Sequence, residues 1–288
     1  MQVVSISSLK GGVGKTSVTM GLASAALAAG IPTLVVDLDP HADVTTGLRV
    51  RANGELDIGR MIKDPRRTDL MANVVSSGWV GKNPADGGRR RVLDVAVGSA
   101  YAGIYDRPDL GRRDLRRLGV VLNGPGAKMS RPSGTKSGSE TSDYALVLID
   151  CPPSLNGLTR MAWTASNRVL LVAEPALFSV AGTQRTMRAL ELFRSEFAPG
   201  LAAAGIVANR VRSDSTEHTY RLAEMKSMFG PLLLSPVIPE QANWQQIQGA
   251  AHPIHSWPGD SARTAATMFD DLLAGLLRQG TLRNRFRR

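Results

Sequence analysis

Short apolar runs recur along the chain, separated by helix-like stretches. Residues 3–7, 33–37 (TLVVD), 92–97 (VLDVAV), 145–150 (ALVLID), 168–174 (RVLLVAE) and 204–211 (AGIVANRV) are strand-like. The run at 33–37 is continuously apolar rather than alternating, the pattern of a strand covered on both faces, and the later runs repeat it. Residues 16–29, 109–118, 157–164, 180–197 and 216–228 read as the helices between them. This alternation predicts an α/β fold: a doubly wound, mostly parallel sheet with helices on both faces. A last helix is expected at 262–278, where Phe269, Leu272, Leu273, Leu276 and Leu277 recur at helical spacing and form a core-facing stripe.

Two segments break the rhythm. Residues 81–91 (GKNPADGGRRR) and 123–143 (NGPGAKMSRPSGTKSGSETSD) are polar and Gly-rich or of low complexity, and read as flexible surface loops. Past Gly280 the chain ends in TLRNRFRR, so residues 279–288 form a basic tail. The 288 residues are 43% apolar, enough for a sizeable core, and suit one α/β domain spanning 1–288 with these loops as embellishments.

Composition narrows the chemistry. The formal net charge is +10, carried mostly by arginine, which attracts polyanions or an acidic partner. Cys151 is the only cysteine, so neither an internal disulfide nor a cysteine-built metal cluster is available. Met1 runs straight into a strand, and the apolar stretch 18–29 is too short to span a bilayer. These features point to a cytoplasmic protein.

The most informative stretch is SLKGGVGKTS, between the first strand and the first helix. Glycines at 11, 12 and 14 let backbone N–H groups converge on phosphate oxygens where a Cβ would intrude. The helix that begins near Lys15 adds its positive end. Lys15 supplies a point charge to β- and γ-phosphates, and the Thr16 hydroxyl is a ligand for Mg²⁺. Residues Gly11, Gly12, Val13, Gly14, Lys15, Thr16 and Ser17 are therefore the expected phosphate cradle of a P-loop. The usual P-loop has glycine where this chain has Leu9, and a second lysine, Lys10, stands beside it.

KGGVGKT resembles the deviant Walker A box of the ParA/MinD family of P-loop ATPases, closest in look to ParA (Soj-like) partition proteins. VVDLDPHADVTTGL (35–48) is similar to the family's second box and first switch, and YALVLIDCPPSL (144–155) to Walker B and the second switch. The resemblance covers about residues 3–277 and implies a P-loop NTPase sheet of about seven or eight strands. It also implies ATP and Mg²⁺ as ligands, and slow hydrolysis of ATP to ADP and phosphate until a partner stimulates it. Lys10 then reaches the phosphates of a second copy, so that ATP closes a sandwich homodimer. Asp37 lies near the Mg²⁺ shell, Asp39 orients the attacking water, and Asp150 holds Mg²⁺ partly through water. GIVANRVR (205–212) resembles the adenine-binding strand end, with Asn209 contacting the base, and Pro239 sits in the loop beyond the last strand. That loop reads Pro239-Glu240 where the family commonly has Pro-Arg. Likewise His41-Ala42-Asp43 replaces the frequent Gln-Gly-Asn, and His41 reads as a loop histidine.

Family members act on different surfaces, so three readings stand. In the first, an ATP-dependent dimer binds DNA without sequence preference, associates with the nucleoid, and is released when a ParB-like partner stimulates hydrolysis. Candidate DNA contacts are Arg210, Arg212, Arg221, Lys226, Arg283, Arg285, Arg287 and Arg288. In the second, a MinD-like protein docks its tail on an anionic membrane at the division site, with Leu282 and Phe286 as the only apolar anchors past Gly280. In the third, the protein is an ATP-gated positioning scaffold with little DNA or lipid binding of its own.

Overall fold

The structure is a computed structural model, and it describes residues 1–51, 56–81, 92–124, 144–241 and 244–285, with no side-chain placement for 245 and 279–285. The loops expected at 81–91 and 123–143 lie outside the described residues except for 81, 123 and 124, as do Phe286, Arg287 and Arg288.

The strands are β1 (Gln2–Ser7), β2 (Thr33–Asp37), β3 (Val75–Ser76), β4 (Leu93–Ala96), β5 (Leu146–Asp150), β6 (Arg168–Ala173) and β7 (Ala202–Ala208). They form one seven-stranded sheet in the order β3-β4-β2-β5-β1-β6-β7. Every neighbouring pair is parallel except β3 with β4. In β2, β5 and β6 every residue is buried, as their continuous apolar character requires.

The helices are α1 (Lys15–Ala28), α2 (Asp43–Gly47), α3 (Ile58–Lys63), α4 (Leu70–Asn73), α5 (Arg112–Leu115), α6 (Arg117–Asn123), α7 (Gly157–Ala165), α8 (Leu177–Glu196), α9 (Thr216–Phe229), α10 (Trp244–Gly249) and α11 (Asp260–Arg285). They divide between the two faces of the sheet. One apolar cluster joins β-strand side chains to α3 to α9, and the other joins the opposite face to α1, α2, α10 and α11. This is the doubly wound arrangement expected. In such sheets the loops at the carboxyl ends of the strands form the ligand crevice, and the motif residues gather there.

Several elements depart from expectation for visible reasons. The helix expected at 109–118 is two short ones, because Gly111 is extended and α5 gives way to α6 at Arg116. The strand expected at 204–211 ends at Ala208, because Arg210 takes a left-handed backbone, φ 58°. The short edge strand β3 and helices α2, α3, α4 and α10 are too brief for periodicity to reveal. The last helix does not stop at 278: α11 runs through Gly280 to Arg285. One interior glycine costs a helix only about 1 kcal/mol relative to alanine, and Leu and Arg around it are good helix formers.

Candidate functional site

The loop from Ser8 to Gly14 joins β1 to α1. Gly12 (φ 77°) and Gly14 (φ 90°) both have left-handed backbones. Alternation of this kind is what turns successive N–H groups to one side and makes an anion-binding nest. A Cβ on Gly14 would overlap the Asn209 amide nitrogen, so this position requires glycine for space as well as for φ. Lys15 opens α1 and is only 7% exposed.

Two carboxylates stand beside this loop. Asp37 and Asp150 end neighbouring strands β2 and β5 in direct register, and both are fully buried. Asp150 accepts hydrogen bonds from the Thr16 hydroxyl (2.8 Å) and the Thr19 hydroxyl (2.9 Å). Asp37 Oδ2 accepts from the Thr45 backbone N–H (2.9 Å) and hydroxyl (2.6 Å). The Thr45 hydroxyl in turn accepts from the Gly98 N–H at 3.0 Å. Gly98 lies so close to Asp37 that a Cβ would stand 2.6 Å from its carboxyl carbon. Burial, and next the charge of Asp150, push the Asp37 carboxyl up to about 8. Burial pushes Asp150 up to about 6, against the pull of its Thr16 and Thr19 bonds and of Lys15.

Asp37 Oδ1 is buried and has no hydrogen-bond partner. A buried unpaired carboxylate oxygen is costly unless a cation or a proton meets it. The donor set here is two carboxylates and a threonine hydroxyl, all hard oxygen ligands. Among the described residues no cluster of three or more His, Cys, Asp or Glu forms a complete protein cage. A cation bound by one or two carboxylates and completed by water and phosphate oxygens suits Mg²⁺. The residues present therefore fit it.

Asp39 follows two residues beyond the end of β2, partly exposed, and accepts from the His41 N–H at 3.0 Å. His41 is exposed and sits in the turn before α2, where Ala42 is left-handed. Cys151, next to Asp150, is fully buried, and burial pushes its thiol up to about 12. It packs rather than reacts.

Lys10 lies on the exposed limb of the loop, and its Nζ is 3.5 Å from Glu174 at the end of β6. Within a single chain it is thus held by its own carboxylate, a partner the sequence did not reveal. Beyond it, at the start of α8, Leu177 and Phe178 are exposed, Phe178 at 77%.

On the other side of the loop, a cleft of about 550 Å³ is lined by Gly12, Gly14, Ser17, Asn209, Arg210, Pro239, Glu240, Gln241, Trp244 and Gln248. Asn209 and Pro239, both expected near a base, are here. The Asn209 side-chain amide nitrogen, however, is engaged with the loop: it donates to the Val13 carbonyl at 2.8 Å. Ser17 accepts a bond from the Gln248 side chain.

Three of the expected DNA contacts are ion-paired within the chain. Arg210 donates to the Gly12 carbonyl (2.9 Å) and to Glu240 (3.3 Å), and Arg212 lies 3.8 Å from Glu240. An isolated bridge between Val211 and Pro239 delivers Glu240 to both arginines. Arg221 is bonded to Glu217 and Glu224 on its own helix. Of the named candidates with described side chains, Lys226 alone is exposed and outside any ion pair. Arg283 and Arg285 ride on the end of α11.

The family described as the "CobQ/CobB/MinD/ParA nucleotide binding domain" matches residues 4–254. The chain belongs to this family. Among its relatives is the "Chromosome partitioning protein ParA" of Caulobacter vibrioides, 28% identical over 255 residues, which cover 88% of this chain and 86% of the relative. The "Chromosome-partitioning ATPase Soj" of Thermus thermophilus is 26% identical, covering 82% and 80%. Among solved structures, cobyrinic acid a,c-diamide synthase from Mycobacterium smegmatis, with bound ATP analog and magnesium, superposes with a TM-score of 0.73 at 19% identity, covering 98% of this chain and 96% of that one. Apo McdA of Cyanothece gives 0.72 at 18% identity, covering 96% and 98%. These structural likenesses establish the shared fold of this nucleotide-binding family.

Sequence reading missed Thr19, Thr45, Glu174 and Glu240 as parts of the site. Thr19 had a signal: it follows Thr16 by three residues, on the same helix face. The other three come from contacts that no local pattern encodes.

Proposed function

We propose that the chain is a ParA-type Mg-ATPase that hydrolyses ATP to ADP and phosphate. ATP closes two copies into a sandwich dimer, the dimer binds DNA without sequence preference on the nucleoid of the cytoplasm, and a stimulating protein partner releases it. The observation that carries this reading is the pairing of two lysines of different character on one loop. Lys15 is buried at the start of α1 beside Asp150, while Lys10 is 43% exposed at the rim. The first suits a phosphate of its own nucleotide, the second a phosphate brought by another copy.

In this scheme Gly11 to Ser17 wrap the phosphates, and Thr16, Asp37 and Asp150 hold Mg²⁺. When bound, the ion neutralises charge on the β- and γ-phosphates. Asp39 is placed beyond β2 with one oxygen committed to the His41 amide, leaving the other to orient a water for attack on the γ-phosphorus. The bond from that phosphorus to the β-bridging oxygen breaks, giving ADP and phosphate. Positioning of this sort is most of what phosphoryl transfer asks of a protein. Lys226 and the arginines of the last helix are the proposed DNA contacts.

A membrane-bound reading draws support from one feature: α11 keeps its helix through Gly280 to Arg285, the shape an amphipathic surface anchor needs. No helix among the described residues is long and apolar enough to cross a membrane. Co-sedimentation with naked DNA and with anionic vesicles, with ATP, with ADP and without nucleotide, separates the readings. ATP-dependent DNA binding that falls steeply with salt supports the first. Vesicle binding lost on deleting residues 279–288, with DNA binding absent, replaces it with the second. Neither binding leaves the scaffold.

A further inference from the structure

We infer that Asn209 and Arg210, braced by Glu240, are positioning residues that hold the phosphate loop open for its ligand. This rests on the ATPase reading above and deepens it. Two consecutive carbonyls of the loop are fixed from outside: Arg210 Nη1 donates to Gly12 O at 2.9 Å, and Asn209 Nδ2 donates to Val13 O at 2.8 Å. A trans peptide unit is planar, so its N–H points opposite to its C=O. Holding the Gly12 carbonyl toward β7 therefore turns the Val13 N–H away from β7, into the hollow of the loop. Holding the Val13 carbonyl does the same for the Gly14 N–H. These are two of the amides that a phosphate needs, and the left-handed backbones at Gly12 and Gly14 allow both to face one way.

The two donors come from neighbouring residues because β7 ends there. Arg210 is itself left-handed, φ 58°, which lets side chains 209 and 210 both address the loop instead of alternating across the sheet. Asn209 is nearly fully buried and Gly14 leaves room for its amide. Glu240 completes the brace. It bonds the second guanidinium nitrogen of Arg210 at 3.3 Å and is itself flanked by Arg212. A guanidinium forked between a carbonyl and a carboxylate is held in orientation, and is not free to swing toward an incoming phosphate.

The full-length protein is titrated with Mg-ADP by calorimetry, and the Val13 and Gly14 amide signals are followed by NMR. In the wild type both signals shift strongly at saturation. Arg210→Ala is expected to bind about tenfold more weakly, the scale of one hydrogen bond from a charged donor, and to lose much of the Val13 shift at saturation while the Gly14 shift persists. Asn209→Ala should show the reverse pattern, and Arg210→Lys should recover part of the affinity. Unchanged affinity in Arg210→Ala, or weaker affinity with a full Val13 shift, overturns the proposal while leaving the ATPase reading intact. Loss of DNA binding alone does the same. A wild type that binds no Mg-ADP, or a Lys15→Ala variant that binds it normally, overturns the ATPase reading and this inference with it.

Discussion

At the phosphate end of the proposed nucleotide cleft, Lys15, Asp37 and Asp150 are each less than a tenth exposed, and the two carboxylates take bonds of 2.6 to 2.9 Å from threonines. At the base end, Arg210 and Glu240 keep 43% and 41% of their side chains exposed and meet at 3.3 Å. The difference is one of dielectric as much as geometry. Buried charges interact strongly and are costly to leave unpaired, whereas exposed pairs are screened and contribute little. One end should thus decide whether nucleotide binds, and the other only how well.

The largest effect that could break this contrast is at Lys15. Lys15→Ala should weaken Mg-ATP binding about a hundredfold or more by calorimetry, since it leaves phosphate charge unmet in a buried site. A loss as small as that expected at Arg210 would erase the distinction. Next comes Asp39→Ala, which should leave binding near normal, cut single-turnover hydrolysis by about a hundredfold, and leave an ATP-bound dimer visible by light scattering.

The third test uses acidity. The Asp37 carboxyl is raised above the ordinary carboxylate value of 3.8 to about 8. The folded state then holds this proton more tightly than the unfolded state. Its stabilising contribution is full below the unfolded value and is lost as pH rises through the folded one. Without nucleotide or Mg²⁺, the melting temperature should fall between about pH 5 and pH 8, and Asp37→Asn should flatten that fall. A parallel curve for the variant would mean the strain lies elsewhere. A smaller effect is expected at the rim. The Lys10–Glu174 pair is partly exposed, worth at most about 1 kcal/mol. Each of two copies frees one such pair, so Glu174→Gln should let ATP-driven dimerisation occur at a concentration up to about thirtyfold lower, while Lys10→Ala should bind ATP yet stay monomeric. Smallest of all, Cys151 should resist alkylation in the native state, because burial pushes its thiol up to about 12; labelling within minutes at neutral pH would contradict its place in the core.

The same contrast explains what could be read before any coordinates. Gly11 to Ser17 are consecutive, and Asp37 and Asp150 each end an apolar run, so the phosphate end was legible from local order. That Asp37 faces Asp150 depends on β2 and β5 lying side by side, which a resemblance implies and periodicity does not. Thr45 reaches Asp37 across the turn before α2, and Glu240 reaches Arg210 only because Val211 bridges Pro239. Arginines counted along the sequence looked like a free basic surface. Folding spends three of them, at 210, 212 and 221, on nearby carboxylates. Helix α11 runs past the end expected at 278 because Gly280 is a weak stop when no cap or proline follows.

Both flanks of the sheet carry a consequence for self-association. On one flank β3 is two residues long and runs against its neighbour; on the other, isolated bridges lay Leu233 against Ile206 of β7 and Pro239 against Val211 just beyond its end. Among the described residues, neither flank offers a long bare ladder of amides on which a second chain could template itself. Strand-by-strand stacking of copies is thereby disfavoured, which leaves loops and helices as the surfaces through which an assembly would close.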